Sequence, residues 1–226
     1  MKISLAHGQT LWVSPTEVTN QDFAAFVQAT GYRTEAELGW PNKDTALPPG
    51  SIAWNKSSGT FEFLEGSSWR YPEGRNGPSW EKQPLHPVRH VSLKDAQAFA
   101  QWKGGRLPTE SEWEQAAGRL DKASANTWQG LFPHQDKGLD GFRQSTAPVA
   151  QFLPNKNGLF DMAGNVWEWT WDGADGSTPV LKGGSYLCAP NWCQGYQAAQ
   201  RMLSEPHQSF GHVGFRLVWD LAPGME

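Results

Sequence analysis

The residues best suited to chemistry lie in Lys182-Gly183-Gly184-Ser185-Tyr186-Leu187-Cys188-Ala189-Pro190-Asn191-Trp192-Cys193, which carries both cysteines of the chain with four residues between them. A thiolate is a strong nucleophile and a soft ligand, so a close pair suggests a disulfide or a soft metal such as Cu(I) or zinc. Fully extended, residues five apart lie roughly 16 Å from each other and point to opposite faces, so the segment must bend before the sulfurs can meet. Pro190 and Asn191 supply turn chemistry at the right place. Spacing leaves several readings open. A structural disulfide needs an oxidising compartment. Two buried free cysteines would act as small hydrophobes. Zinc would have to recruit histidines that do not cluster nearby, and a two-thiolate Cu(I) site would need only the pair.

Two other groupings merit a metal test. His86 and His90 are four apart, a chelating interval on a helix, but Pro87 and the neighbouring valines favour an extended strand that separates the rings by about 13 Å. They are expected to be structural. Asn126-Thr127 with Asp140-Gly141-Phe142, and Asp161 to Glu168, place oxygen donors at intervals that suit Ca²⁺. The alternative is an Asp turn and a glutamate paired with an arginine.

The elements that must position these groups are sparse. In 226 residues there are 13 tryptophans, 24 glycines and 16 prolines, which suggests a loop-rich domain with a core filled by indoles. Leu11-Trp12-Val13 reads as a strand. Thr19 with Asp22 starts a helix of about ten residues whose Phe23, Phe26 and Val27 form one stripe before Gly31. Tyr32 to Trp80 reads as mostly loop, with a hairpin between Ile52-Ala53-Trp54 and Thr60-Phe61-Glu62-Phe63; so long an irregular stretch could wall a peptide groove. Ser92 with Asp95 starts a second helix that stops at Gly104-Gly105, and Thr109 with Glu112 starts a third that stops at Gly118. After about residue 119 helical periodicity ends.

Net charge is −4 with both signs interspersed and no basic stripe, so nucleic acid is not an expected partner. Met1 to His7 has one lysine and no sustained apolar run, neither a signal peptide nor a membrane span. A cytoplasmic location and no membrane contact are the expectations. No internal repeat or linker divides residues 1–226, which read as a single domain.

Several stretches together resemble the formylglycine-generating enzyme (sulfatase-modifying factor) family. They are Thr16 to Phe23, Trp69-Arg70-Tyr71-Pro72-Glu73-Gly74, His86 to Ser92, Gly105 to Glu110, Gly164-Asn165-Val166-Trp167-Glu168-Trp169 and Gly211-His212-Val213-Gly214-Phe215-Arg216, and they span about residues 11 to 218. Most mark a wider superfamily that includes sulfoxide synthases, silent paralogues and ligand-binding proteins. Gly183 to Cys188 followed by Cys193 resembles the signature of the enzyme itself.

The resemblance implies a single α+β domain of C-type-lectin-like fold with little regular structure and two calcium sites. The first would use Asn126, the Thr127 carbonyl, Asp140 and the Phe142 carbonyl; the second Asp161, the Gly164 and Val166 carbonyls and Glu168. It implies an activity that uses copper, O₂ and a thiol reductant to convert a cysteine of a sulfatase precursor, within Cys-x-Pro-x-Arg, into Cα-formylglycine. Cys188 and Cys193 would hold Cu(I), Ser185 would hydrogen-bond a bound oxygen species or water, and Trp167 and Trp192 would line the substrate pocket. Ala189 and Trp192 stand where studied members place histidine and tyrosine, and neither the family's first strand nor its Met-Gly motif is evident ahead of Leu11. Another cysteine peptide could therefore be the substrate. A related two-thiolate oxidase and a non-catalytic calcium-braced binding protein are the alternatives; a silent paralogue would be expected to drop the cysteines.

Overall fold

Four threonine and serine caps decide where the helices begin. The computed structural model describes residues 1–39, 47–120, 125–173 and 178–224. Helix α1 (Asn20–Thr30) starts at Thr19, α2 (Glu35–Leu38) at Thr34, α3 (Leu93–Trp102) at Ser92 and α4 (Glu110–Ala117) at Thr109. Each cap accepts from the backbone N–H three residues on, while that residue's carboxylate accepts from the cap's own N–H. Gly31 closes α1 in the left-handed region at φ 70°.

Helix α2 corrects the expectation of loop between Tyr32 and the hairpin. At four residues it is too short to show a 3.6-residue repeat, so only its capping box could reveal it. Glu37 serves the box and also accepts from Trp69 Nε1 at 3.3 Å and Arg70 Nε at 2.8 Å, fastening α2 to the segment beyond the hairpin.

Strand β1 (Lys2–Ser4) is a second correction: it pairs antiparallel with β2 (Thr10–Val13), and β2 pairs with the C-terminal β9 (Val218–Trp219). The hairpin expected around Trp54 and Phe61 forms as β3 (Gly50–Asn55) and β4 (Thr60–Glu65), with those two residues opposite each other. The third sheet runs β7 (Met202–Leu203), β6 (Val180–Lys182), β5 (Trp167–Thr170), β8 (Val213–Gly214), with β5 and β8 parallel. The segment with His86 and His90 is not a strand: Pro87 makes one isolated bridge to Thr19, and His90 is left-handed at φ 60°. The rings are structural, as expected, with His86 Nδ1 on Thr146 Oγ1 at 2.8 Å and His90 Nε2 on the Pro72 carbonyl at 2.9 Å.

Aromatic side chains fill the core. Phe99 of α3 stacks on Phe23 at 5.7 Å and meets Phe26 and Phe215 edge-on at 5.6 and 5.4 Å. Such pairs add to the area term that dominates burial. Beside this cluster sits a buried polar hub. Arg216 grips both carboxylate oxygens of Glu168, at 2.6 and 2.7 Å, and Trp113 Nε1 of α4 donates to the same group at 2.7 Å. The Arg216 side chain is 1% exposed and that of Glu168 0%, so water screens neither.

Removing one partner of such a pair strands the other charge. Arg216→Met should cost about 3–5 kcal/mol in urea unfolding; a loss below about 1 kcal/mol would show that the hub is not a structural link.

Asp95 carries a pH signature. Burial pushes its carboxyl up to about 6 despite bonds from the Ser92 and Glu35 N–H groups and the Tyr32 hydroxyl. The ordinary carboxyl value is about 3.9, so the folded state holds this proton more tightly. Its contribution to stability is therefore full below about pH 4 and lost as pH rises through 6. Asp95→Asn should flatten the fall of melting temperature from pH 4 to 7; an unchanged slope would contradict this.

Candidate active site

Cys188 and Cys193 meet across the bend that Pro190 and Asn191 were expected to make. Ala189 and Trp192 exchange two backbone hydrogen bonds, each 3.0 Å, which closes a tight turn around the Pro-Asn pair. The two sulfurs are joined as a disulfide with Cα atoms 5.5 Å apart. Three anchors hold the turn. Asn191 Nδ2 donates to the Phe132 carbonyl at 2.8 Å and Asn191 Oδ1 accepts from Phe132 N–H at 3.2 Å. Trp192 stacks on the Phe132 ring at 5.1 Å, and Trp128 N–H donates to the Cys188 carbonyl at 3.1 Å.

The pair opens onto a cleft of about 530 Å³ whose wall includes Trp167, Ser185, Leu187, Trp192, Phe61, Phe210 and His212. Cys188 is 1% exposed at the inner end, whereas Cys193 is exposed. The hairpin β3–β4 contributes Ile52, Phe61 and Phe63, so the irregular aromatic region does wall a groove. Ser185, buried, has its Oγ accepting from Leu187 N–H at 3.2 Å, which leaves its own proton uncommitted in that bond. Its carbonyl accepts from Cys188 N–H at 2.9 Å, and its N–H lies 3.4 Å from Cys188 Sγ.

Two glycines let the strands of this site touch. A side-chain carbon on Gly195 would strike the Trp167 indole and lie 2.7 Å from the Gly184 Cα. Gly184 itself sits at φ 76°, where a non-glycine residue is strained. The chain after Cys193 thus lies flat against Trp167 and the glycine pair. On β5, Trp167 lines the cleft while its neighbour Glu168 points the opposite way into the Arg216 hub, as strand alternation requires.

The oxygen donors form two adjoining sets. In the first, Asp140 accepts from Thr127 N–H at 3.3 Å and Phe142 N–H at 3.0 Å, which gathers those three residues. Asn126 bonds through Nδ2 to the Ser145 carbonyl and Asn165 Oδ1, while its own Oδ1 is buried with no partner. In the second, Asp161 accepts from Ala150 N–H at 2.7 Å and Glu168 is engaged by Arg216 and Trp113. Asn126 and Gly164 bridge the two sets directly. Neither contains more than two carboxylates, and among the described residues no group of three or more His, Cys, Asp or Glu is placed to hold a metal.

Sequence reasoning did not single out Glu17, Asn165 or His212 as site residues. Glu17 is buried, accepting from Asn165 Nδ2 at 2.6 Å and Val166 N–H at 3.2 Å. Burial first, then Asp161 and Glu168, pushes its carboxyl well above the usual range. Asn165 sits left-handed at φ 57° and ties this carboxylate to Ala147 N–H and Asn126. A polar residue between Gly164 and Val166 was the available signal. For His212 the only signal was a polar residue among Phe210, Val213 and Phe215.

Comparison with known proteins agrees with this geometry. Residues 4–221 match the family model of the sulfatase-modifying factor enzyme 1-like domain. The formylglycine-generating enzyme of Thermomonospora curvata is 42% identical over 251 residues, which cover 90% of this chain and 80% of that one. A Bos taurus relative named inactive C-alpha-formylglycine-generating enzyme 2 is 38% identical over 224 residues, with 88% and 73% covered. The solved structure of PvdO from Pseudomonas aeruginosa shares the fold at a TM-score of 0.64 and 22% identity, covering 95% of this chain and 82% of that one. Little regular secondary structure, a cysteine pair at a turn and a match over nearly the whole sequence coincide in one conclusion: the chain belongs to the sulfatase-modifying factor enzyme 1-like family.

Proposed function

We propose that this protein oxidises a cysteine of a sulfatase precursor, or of a similar peptide, to Cα-formylglycine. The observation that carries the reading is the Cys188–Cys193 pair at the cleft. Identity alone does not separate catalyst from silent relative, since proteins of both descriptions match at 42% and 38%. Two sulfurs at an open apolar cleft favour the catalyst.

Electron counting defines the co-reactants. Thiol to aldehyde releases two electrons, and O₂ to the level of water takes four. The remaining two come from an external pair of thiols that becomes a disulfide. The sums balance as one cysteine, one O₂ and two thiols giving formylglycine, hydrogen sulfide, one disulfide and one water.

Two-electron reduction of the Cys188–Cys193 bond gives two thiols on a turn that brings their Cα atoms to 5.5 Å in the bonded pair and that is anchored at Phe132 independently of the bond. That donor set suits a soft monovalent ion, with Cys188 and Cys193 as the residues that would hold Cu(I). Bound copper would supply the one-electron route to triplet oxygen that side chains lack. Ser185 Oγ can hold a water or oxygen species beside Cys188 through its free proton. Trp167 and Phe210 exclude bulk water from the inner wall, and exposed Trp192 at the mouth meets the incoming peptide.

We further propose that Ca²⁺ binds the first oxygen set, through Asn126 Oδ1, the Thr127 and Phe142 carbonyls and Asp140. The unpartnered, buried Asn126 Oδ1 supports this, because such an oxygen is costly unless something satisfies it. At the second set, Asp161 and the Gly164 and Val166 carbonyls would have to share Glu168 with Arg216, which fits a second ion less well.

Incubating the copper-loaded, reduced protein with O₂, a thiol and a Cys-x-Pro-x-Arg peptide should give formylglycine by mass spectrometry. Cys188→Ser and Cys193→Ser should each lower turnover by at least about a hundredfold, in the range seen when a reacting group is removed. Absence of aldehyde with the wild-type protein would reject the reading. Saturating Ca²⁺ should raise the melting temperature, since only the folded chain presents the set. Asn126→Leu should remove most of that rise. An unchanged melting temperature with Ca²⁺ or chelator would reduce the set to a turn.

A further inference from the structure

The cleft wall contains one imidazole whose side chain neither the fold nor the cysteine pair uses. His212 is 6% exposed and lines the cleft with Ser185, Cys188 and Cys193. Its ring is held between Phe61 and Phe210, centroids 4.9 and 5.6 Å away. Its carbonyl has a structural task, accepting from Trp167 N–H at 2.9 Å. The side chain does not. Nδ1 is buried without a partner, and no hydrogen bond to the ring forms among the described residues. A leucine could fill the same space without burying an unpaired nitrogen, so packing does not explain a histidine here.

We propose that His212 is a substrate-positioning residue of the cleft, its ring hydrogen-bonding a main-chain amide of the cysteine peptide; this rests on the function proposed above.

The surroundings favour that role over proton transfer. Glu62, Ser204 and Gln208 also line the cleft, but Ile52, Phe63, Leu187 and Met202 offer a polar group nothing. An extended peptide presents an N–H and a C=O at nearly every residue, each needing a partner on burial. A neutral imidazole has one donor and one acceptor and so can meet either. Burial, with Arg89 nearby, holds His212 down to about 3, so the ring is neutral near pH 7. It brings no charge to desolvate, and it is too weak a base to take a thiol proton effectively. A half-turn about Cβ–Cγ exchanges Nδ1 with Cδ2 within the ring plane, so a nitrogen can be presented without repacking the two phenylalanines.

The test compares His212→Leu, which removes both nitrogens, with His212→Asn, which returns an amide near the place of Nδ1. For conversion of the Cys-x-Pro-x-Arg peptide, His212→Leu should raise KM about tenfold with kcat within about twofold, and His212→Asn should recover to within about threefold, the scale of one hydrogen bond. A purely structural histidine would instead lower melting temperature and kcat while leaving KM alone, and that pattern overturns the proposal. The second arm is copper-independent: fluorescence anisotropy of a labelled peptide with serine in place of cysteine should show affinity reduced about tenfold in His212→Leu. Should the wild-type protein make no aldehyde, the proposed reaction fails and this arm decides alone. Equal affinity of wild type and His212→Leu, or no binding by the wild type, overturns the role of His212.

Discussion

The bidentate grip of Arg216 on Glu168 is the constraint from which the site's geometry follows. Both charges are fully buried, so the pair has no freedom to drift, and Trp113 adds a third bond that brings α4 to the same point. A buried pair of this kind is weak grounds for net stability, since desolvation offsets much of the attraction. Its value is positional. Glu168 facing the hub obliges its neighbour Trp167 to face the other way, into the cleft, and the parallel pairing with β8 sets Val213 beside it. His212 lies just outside β8, its carbonyl bonded to the Trp167 N–H and its ring on the same cleft wall. The ion pair thus orients the indole, while Phe61 and Phe210 hold the imidazole beside it.

The turn that carries the sulfurs is held independently of the bond between them. Asn191 and Trp192 both lean on Phe132, whose ring also meets Trp54 and Trp128 at 4.9 Å. Opening the disulfide would leave these anchors in place. The closed approach of Gly184 and Gly195 behind Trp167 adds a rigid back wall. Preorganisation of this kind lets two thiols act together without a large entropic cost each time they are reduced.

Local rules made part of this legible. The three longer helices start at the expected caps, the hairpin aligns Trp54 with Phe61, and Pro190-Asn191 makes the bend. What escaped depends on contacts distant in sequence. Helix α2 and the two-residue strands β7, β8 and β9 are too short for any periodicity, and β1 exists because β2 offers it an edge. Of the site, the sulfurs and the bend between them were readable from the residues, whereas Ser185, Trp167 and Trp192 came only with the family resemblance. The link from Glu17 through Asn165 to Val166 spans nearly 150 residues of separation and carries no local signature. His90 and His212 look alike in sequence, yet one bonds the Pro72 carbonyl and the other lines the cleft.

The central claim is that Cys188 and Cys193 act together as the reactive sulfur pair of the cleft. Its most direct measurement is a competition titration of the reduced protein with a chromophoric Cu(I) chelator, followed by X-ray absorption of the loaded form. The account predicts one ion per chain in a two-sulfur environment, lost when either cysteine becomes serine. Undiminished Cu(I) affinity in the doubly substituted protein would contradict it.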